Sequence, residues 1–230
     1  MTAPTEPTGP ATQRRRTPTP VTWSLVIACL LVWLAQLTFP PTTEALLLSA
    51  DTAWSQPWRL VTSMFTHDPS LPFGLMHIGF NLFALYTLGR SLEPFLGSIR
   101  FLLLHLWSGL AGGVAFVLLM PNPGQSLPWG GDWTMGTVGA SGAVFGLFGA
   151  IFMAQRALGG STSRIIAVLA LNLLITFGVA GIAWQAHLGG LLMGAALTWH
   201  LLRRPRATWG WPASLVVLGA LVVVRYTVMV

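Results

Sequence analysis

Apolar residues run in long blocks along this chain, separated by short polar or Gly- and Pro-rich stretches. A helix needs roughly 20 apolar residues to cross a hydrocarbon core about 30 Å thick. Blocks near that length occur at Val21–Phe39, Phe101–Met120, Ile165–Ile182 and Trp184–Leu202. Two shorter or more polar blocks lie at Leu75–Leu88 and Ser141–Ala154, and a last one, Trp211–Val230, follows the cluster Arg203-Arg204-Pro205-Arg206. The pattern predicts an all-α polytopic membrane protein. Its core is a six-helix transmembrane bundle over residues 21–202. A basic linker and a seventh C-terminal helix follow in residues 203–230, for which an interfacial position is the alternative. Residues 1–20 are rich in Pro and Thr and carry Arg14, Arg15 and Arg16, with no small-residue cleavage site after the first block. They read as a disordered cytosolic tail ahead of a retained helix.

Composition agrees with the blocks. Of 230 residues, 53% are hydrophobic and 8% charged, against roughly 25% charged in a soluble domain. The net charge of +6 comes entirely from arginine among the basic residues. These arginines sit in short groups between apolar runs rather than on one face, which argues for membrane topology and against nucleic acid. With the N-terminus inside, ten of twelve arginines fall on the cytosolic side, and Glu44, Asp51, Asp68 and Asp132 fall outside. The lone Cys29 lies in an apolar run and reads as a small buried residue.

Polar side chains inside spanning helices are costly and mark function. The candidates are His77, Asn81, His105, Ser141, Asn172, His187 and His200. Height above the inner arginines sorts them. At about 1.5 Å per residue, Ser141 stands roughly 22 Å above Arg156, His187 roughly 24 Å above Arg203 and His77 roughly 20 Å above Arg90. Asn81 lies roughly 6 Å below His77 by the same rise. Ser141, His187, His77 and Asn81 therefore share one layer on three helices that run in the same direction. His105, Asn172 and His200 fall outside that layer or on helices of opposite direction, and read as structural.

A serine hydroxyl becomes a nucleophile when a neighbouring base can take its proton, and neutral imidazole is the usual base. Gly139-Ala140-Ser141-Gly142 places the serine at a turn entering a helix, whose free N–H groups can receive an oxyanion. His77 and Asn81, four residues apart, face one side of their helix and can add donors. Gly142 and Gly146 on one helix, with Ala186, Gly190 and Gly194 on another, form small-residue ridges that let the two backbones approach.

Four motifs occur in order: Trp58-Arg59, His77-Ile78-Gly79-Phe80-Asn81, Gly139-Ala140-Ser141-Gly142, and Ala186-His187 followed by Gly190 and Gly194. Together they resemble the rhomboid intramembrane proteases over Val21–Leu202. The resemblance implies a Ser141–His187 dyad without an acidic third member. It also implies an oxyanion hole made of His77, Asn81 and the Ser141 backbone N–H, and a first outer loop structured by Trp58 and Arg59. His67 looks like the family's further loop histidine, set off from His77 by an insertion around Asp68–Phe73. Phe145 stands where the family often has a Tyr stacked on the catalytic histidine; it keeps the stacking face and loses the hydroxyl.

The expected function is therefore serine endopeptidase cleavage in or near the transmembrane segments of other membrane proteins, in the lipid bilayer, with no metal or cofactor. The expected location is a bacterial plasma membrane, with a cytoplasmic N-terminus and an outward-opening site. The alternative is a non-catalytic rhomboid-like binder of membrane clients, against which Ser141 and His187 both stand. A transporter would call for paired broken helices or an inverted repeat, and a zinc protease for an H-E-x-x-H helix. The sequence contains neither.

Overall fold

A computed structural model of the chain describes residues 18–128, 131–179 and 181–228. Most of the expected N-terminal tail (residues 1–17) and the ends of the last predicted span (229–230) lie outside the described residues. Among the described residues, seven long helices form the fold: α1 (Pro20–Thr38), α4 (Phe73–Leu96), α5 (Ser98–Leu119), α6 (Ser141–Ala157), α7 (Ser163–Gly178), α8 (Trp184–Arg203) and α9 (Gly210–Val228). Two short helices, α2 (Pro41–Leu46) and α3 (Arg59–Thr62), and two two-residue strands lie in the loops. We call the end of the bundle that carries Ser141 the upper end. The protein is an integral membrane protein of all-α class.

By length and composition, α1, α5 and α9 are long and apolar enough to cross a membrane, with mean hydropathies of 1.9, 2.0 and 1.7. The helices that fall short include those bearing His77, Ser141 and His187. α6 has 17 residues, about 26 Å at 1.5 Å per residue, which is less than a core of about 30 Å.

The centre of the bundle is α5, α6 and α8. These helices touch backbone to backbone. A Cβ at Gly190 would lie 1.8 Å from the Gly142 carbonyl oxygen, and one at Gly194 would lie 2.0 Å from that of Gly146. A Cβ at Gly149 would stand 2.4 Å from the Leu191 carbonyl oxygen. Only hydrogen fits in that seam, which is how small-residue ridges bring helices together in lipid.

The apolar runs underestimated α4, which extends beyond Leu88 to Leu96. The added turns contain Arg90 and Glu93, whose charges end an apolar block. Glu93 is nonetheless buried, because its carboxylate accepts from the backbone N–H groups of Val21 (3.0 Å) and Thr22 (2.8 Å) and from the hydroxyls of Thr22 and Ser98 (2.7 Å each). The first N–H groups of α1 have no partner within their own helix. A carboxylate from a neighbouring helix satisfies them and complements the positive end of the helix dipole.

α9 lies along α5 and runs in the same direction. Near its start, Trp107 Nε1 donates to the Trp211 carbonyl (2.9 Å). Near its end, the buried Arg225 donates to the carbonyls of Val117 (3.3 Å), Met120 (2.9 Å) and Pro121 (3.2 Å) and to Asn122 Oδ1 (2.6 Å). The three main-chain acceptors lie at or just past the C-terminus of α5, where helix carbonyls run out of intrahelical N–H partners. The guanidinium also sits 4.8 Å from the Trp133 ring centroid. One side chain thus ties the upper ends of two helices together.

The upper loops contain a feature the apolar pattern did not predict. Strand β1 (Leu48–Ser49) pairs antiparallel with β2 (Gly136–Thr137), with Leu48 opposite Thr137 and Ser49 opposite Gly136. Arg59 stiffens the first loop from within. Its Nε donates to Gln56 Oε1 (2.7 Å) and its Nη1 to the carbonyls of Glu44 (2.5 Å) and Leu47 (2.7 Å). The Trp58 side chain is 54% exposed.

Candidate active site

Ser141 is the first residue of α6, preceded by Ala140 as the cap. Gly139 has φ +125°, a conformation that side chains resist, and a Cβ there would lie 3.0 Å from His77 Nε2 and 3.7 Å from Ser141 Oγ. Its N–H donates to the Ser63 carbonyl (3.0 Å), which fixes the approach to the helix. The glycine therefore does two things at once. It makes the turn, and it leaves open the space between His77 and Ser141.

His187, on the first turn of α8, is buried, and its Nε2 lies 2.8 Å from Ser141 Oγ. The glycine seam below makes that distance possible, since Gly142 follows Ser141 and Gly190 is one turn beyond His187. Phe145 stacks on the imidazole with ring centroids 4.1 Å apart and planes 8° from parallel. An apolar face thus covers one side of the ring and holds its plane. The other imidazole nitrogen, Nδ1, lies 2.9 Å from Thr176 Oγ1 on α7. Thr176 did not stand out in the sequence, because a threonine in an apolar helix carries no signal of what it will face.

The Asp68 backbone N–H points at His77 Nδ1 (3.5 Å), the geometry that leaves the proton on Nε2, the nitrogen facing Gly139. This gives the Asp68–Phe73 segment a physical part. Asp68 is itself held in place: its carboxylate accepts from the Ser70 N–H and hydroxyl (2.8 Å each), and its carbonyl accepts from Trp33 Nε1 (3.1 Å). Asn81, one turn below His77 and buried, donates one amide hydrogen to the His77 carbonyl (2.9 Å), which leaves one more for a ligand. His67 is fully buried beside His77, with ring centroids 5.3 Å apart. Its backbone is clamped by Gln36, which accepts from the His67 N–H (3.0 Å) and donates to its carbonyl (2.8 Å). Burial, with a smaller contribution from His77, pushes the His67 imidazole down to about 3.

A cavity of ≈ 20 Å³ adjoins Ser141, lined by Ser63, Met64, Gly139, Gly142 and Ala186 among others. That volume is enough for about one water molecule. His105 is buried within α5, Asn172 bonds to its own helix at Val168, and His200 sits against Trp209 at the other end of the bundle. None of these three side chains reaches the Ser141–His187 pair.

A serine hydroxyl against an imidazole, at a helix N-terminus and beside a second histidine, is an arrangement suited to acyl transfer. Comparison with known proteins points the same way. The Rhomboid domain family model matches residues 54–204, which contain Ser141, His187, His77 and Asn81.

The chain belongs to the rhomboid family.

Among curated proteins it is similar to Rhomboid protease GluP of Bacillus subtilis, 34% identical over 145 residues that cover 60% of this chain and 24% of that protein. It is also similar to RHOMBOID-like protein 6, mitochondrial, of Arabidopsis thaliana, 33% identical over 163 residues (67% of this chain, 47% of that protein). Rhomboid protease GlpG of Salmonella choleraesuis is 31% identical over 193 residues (77% of this chain, 62% of that protein). The rhomboid chain described here thus spans about a quarter of the first of these relatives and about half of the second.

Proposed function

We propose that this rhomboid is an intramembrane serine endopeptidase that cleaves peptide bonds in or near the transmembrane segments of other membrane proteins. The single observation that most supports this is the 2.8 Å separation of Ser141 Oγ and His187 Nε2, within the reach a general base needs. In the reaction, Ser141 Oγ bonds to the scissile carbonyl carbon as its proton passes to His187 Nε2. The oxyanion receives hydrogen bonds from His77 Nε2–H, the Ser141 backbone N–H and the free amide hydrogen of Asn81. Collapse of the adduct breaks the C–N bond, and the amine leaves with the proton from Nε2. A water then repeats the sequence on the acyl-enzyme, returning its proton through His187.

A helix hides its scissile carbonyls in internal hydrogen bonds, so substrates with helix-weakening residues near the site's depth fit best. The arginine distribution supports a cytoplasmic N-terminus and a site opening to the opposite, extracytoplasmic side, in a bacterial plasma membrane. The test is cleavage of a tagged single-span substrate in liposomes by the native chain, Ser141→Ala and His187→Ala, with fluorophosphonate labelling of Ser141. Loss of both activities in both variants is expected. Cleavage retained in either variant overturns the dyad, and a native chain that binds substrate but neither cleaves nor labels would be a client-binding protein instead.

A further inference from the structure

Thr176 lies near the upper end of α7, one turn after Asn172. It is one of only two side chains that α7 buries, the other being Ile165 near the opposite end. Leu171, Leu174 and Phe177 are all exposed. The Thr176 hydroxyl has two neighbours: the Asn172 carbonyl oxygen at 2.7 Å and His187 Nδ1 at 2.9 Å. A hydroxyl has one proton to give. The carbonyl can only accept, so oxygens 2.7 Å apart require that proton between them. This is the back-bond that helical threonines make to the residue four before. The lone pair left on Thr176 then faces Nδ1, and Nδ1 must carry the hydrogen. In a neutral imidazole the other nitrogen is then the acceptor, and that nitrogen is the one against Ser141. The line runs in one direction: Ser141 Oγ–H to Nε2, Nδ1–H to Thr176 Oγ1, Thr176 Oγ1–H to the Asn172 carbonyl.

We propose that Thr176 is the positioning residue of His187, fixing its tautomer and the ring's aim at Ser141, and that seating of α7 is thereby coupled to readiness of the base. This rests on the reading of His187 as the general base. When Ser141 gives its proton to Nε2, the imidazolium keeps Nδ1–H on Thr176, so the ring stays in place until Nε2 releases the proton to the leaving amine. The hydroxyl supplies orientation without the negative charge of a carboxylate. The dyad therefore has a neutral third partner, delivered by the least buried of the long helices around the site.

The test compares Thr176→Val, Thr176→Ser and Ile165→Ala with the native chain in liposomes. It measures kcat and KM for a tagged single-span substrate, the rate of fluorophosphonate labelling at Ser141, and the thermal midpoint. Valine keeps the shape and strands the Nδ1–H; an unmade buried hydrogen bond predicts a fall of about 10- to 100-fold in kcat and in labelling rate with KM little changed. Serine restores most of the rate. Ile165→Ala, which removes the other buried contact of α7, lowers the thermal midpoint without lowering labelling. Native labelling in Thr176→Val overturns the proposal and leaves the dyad standing. Equal losses in the Val and Ser variants, tracking the thermal midpoint, overturn it as well, since they mark packing alone. A native chain inert to the probe and to substrate removes the dyad itself, and this proposal with it.

Discussion

Gly190→Ala should inactivate the protein by moving two helices apart. A Cβ at Gly190 would stand 1.8 Å from the Gly142 carbonyl oxygen, where ordinary contact begins at 3.4 Å. The obstacle is backbone, so no side chain can swing away, and α6 and α8 must separate locally by 3.4 − 1.8 = 1.6 Å. Gly142 adjoins Ser141 and Gly190 is one turn from His187, so the separation is carried to the pair. Its 2.8 Å contact would open to 2.8 + 1.6 = 4.4 Å, beyond the roughly 3.2 Å reach of proton transfer. A misplacement of about 1 Å can cost on the order of 100-fold in rate, so a loss of at least that size is expected. Overpacking of this kind costs about 1–3 kcal/mol, less than a typical total stability of about 5–15 kcal/mol, so the variant should still fold. Gly219→Ala is the control, because nothing lies within 4 Å of a Cβ there; alanine should leave reactivity unchanged and stabilise the helix by about 0.5–1 kcal/mol. The assay is the fluorophosphonate labelling rate in liposomes beside thermal unfolding of the same samples. Native labelling by a folded Gly190→Ala would refute the claim that main-chain contact sets the distance.

Phe145→Leu removes the ring stacked on His187; aromatic pairing worth about 0.5–1.5 kcal/mol predicts a modest fall in turnover, while Phe145→Tyr should turn over like the native chain. Arg225→Met deprives four acceptors at the upper end of α5 of their donor. Charged hydrogen bonds at about 1.5–3 kcal/mol each predict a clear drop in thermal midpoint and faster proteolysis of α9, with labelling of Ser141 preserved in the folded fraction. His67, held to about 3 in the fold, stays neutral where an unfolded chain takes up a proton below about 6.5. Its contribution is thus full above that pH and declines, by up to about 1.4 kcal/mol per pH unit, as acid is added toward 3. His67→Phe should therefore show a smaller drop in thermal midpoint between pH 7.5 and pH 5 than the native chain, and an unchanged drop would refute the assignment.

The amino-acid pattern revealed the large features because each depends on local chemistry. Apolar blocks predicted all seven long helices, and Gly142, Gly146, Gly190 and Gly194 announced a close seam because glycines at helical spacing serve little else in lipid. That Ser141 and His187 come together was legible in their similar heights above separate arginines. The misses were all contacts between distant segments. Glu93 looked like the end of a span, since nothing local says that it turns inward to the start of α1. The β1–β2 pairing joins two loops that read as irregular, and two-residue strands leave no periodicity to detect. Thr176 was silent for a similar reason: its partner is a ring on another helix. Asp68 was visible as part of an insertion, but the hydrogen bond from its backbone to His77 could not be.

The β1–β2 ribbon joins the loop between α1 and α4 to the segment that leads into Ser141, and the Gly139 N–H adds a second tie to Ser63. Two loops that are remote in sequence therefore share one cooperative unit of local unfolding. Lifting either one breaks hydrogen bonds of both, so partial uncovering of the serine from above has no low-energy route. In amide hydrogen exchange, the paired backbone of residues 48–49 and 136–137 and the Gly139 N–H should open with a common free energy. The seated α7, tied to no loop by such a ribbon among the described residues, should open on its own schedule, so that the roof and the side wall of this site answer to different perturbations.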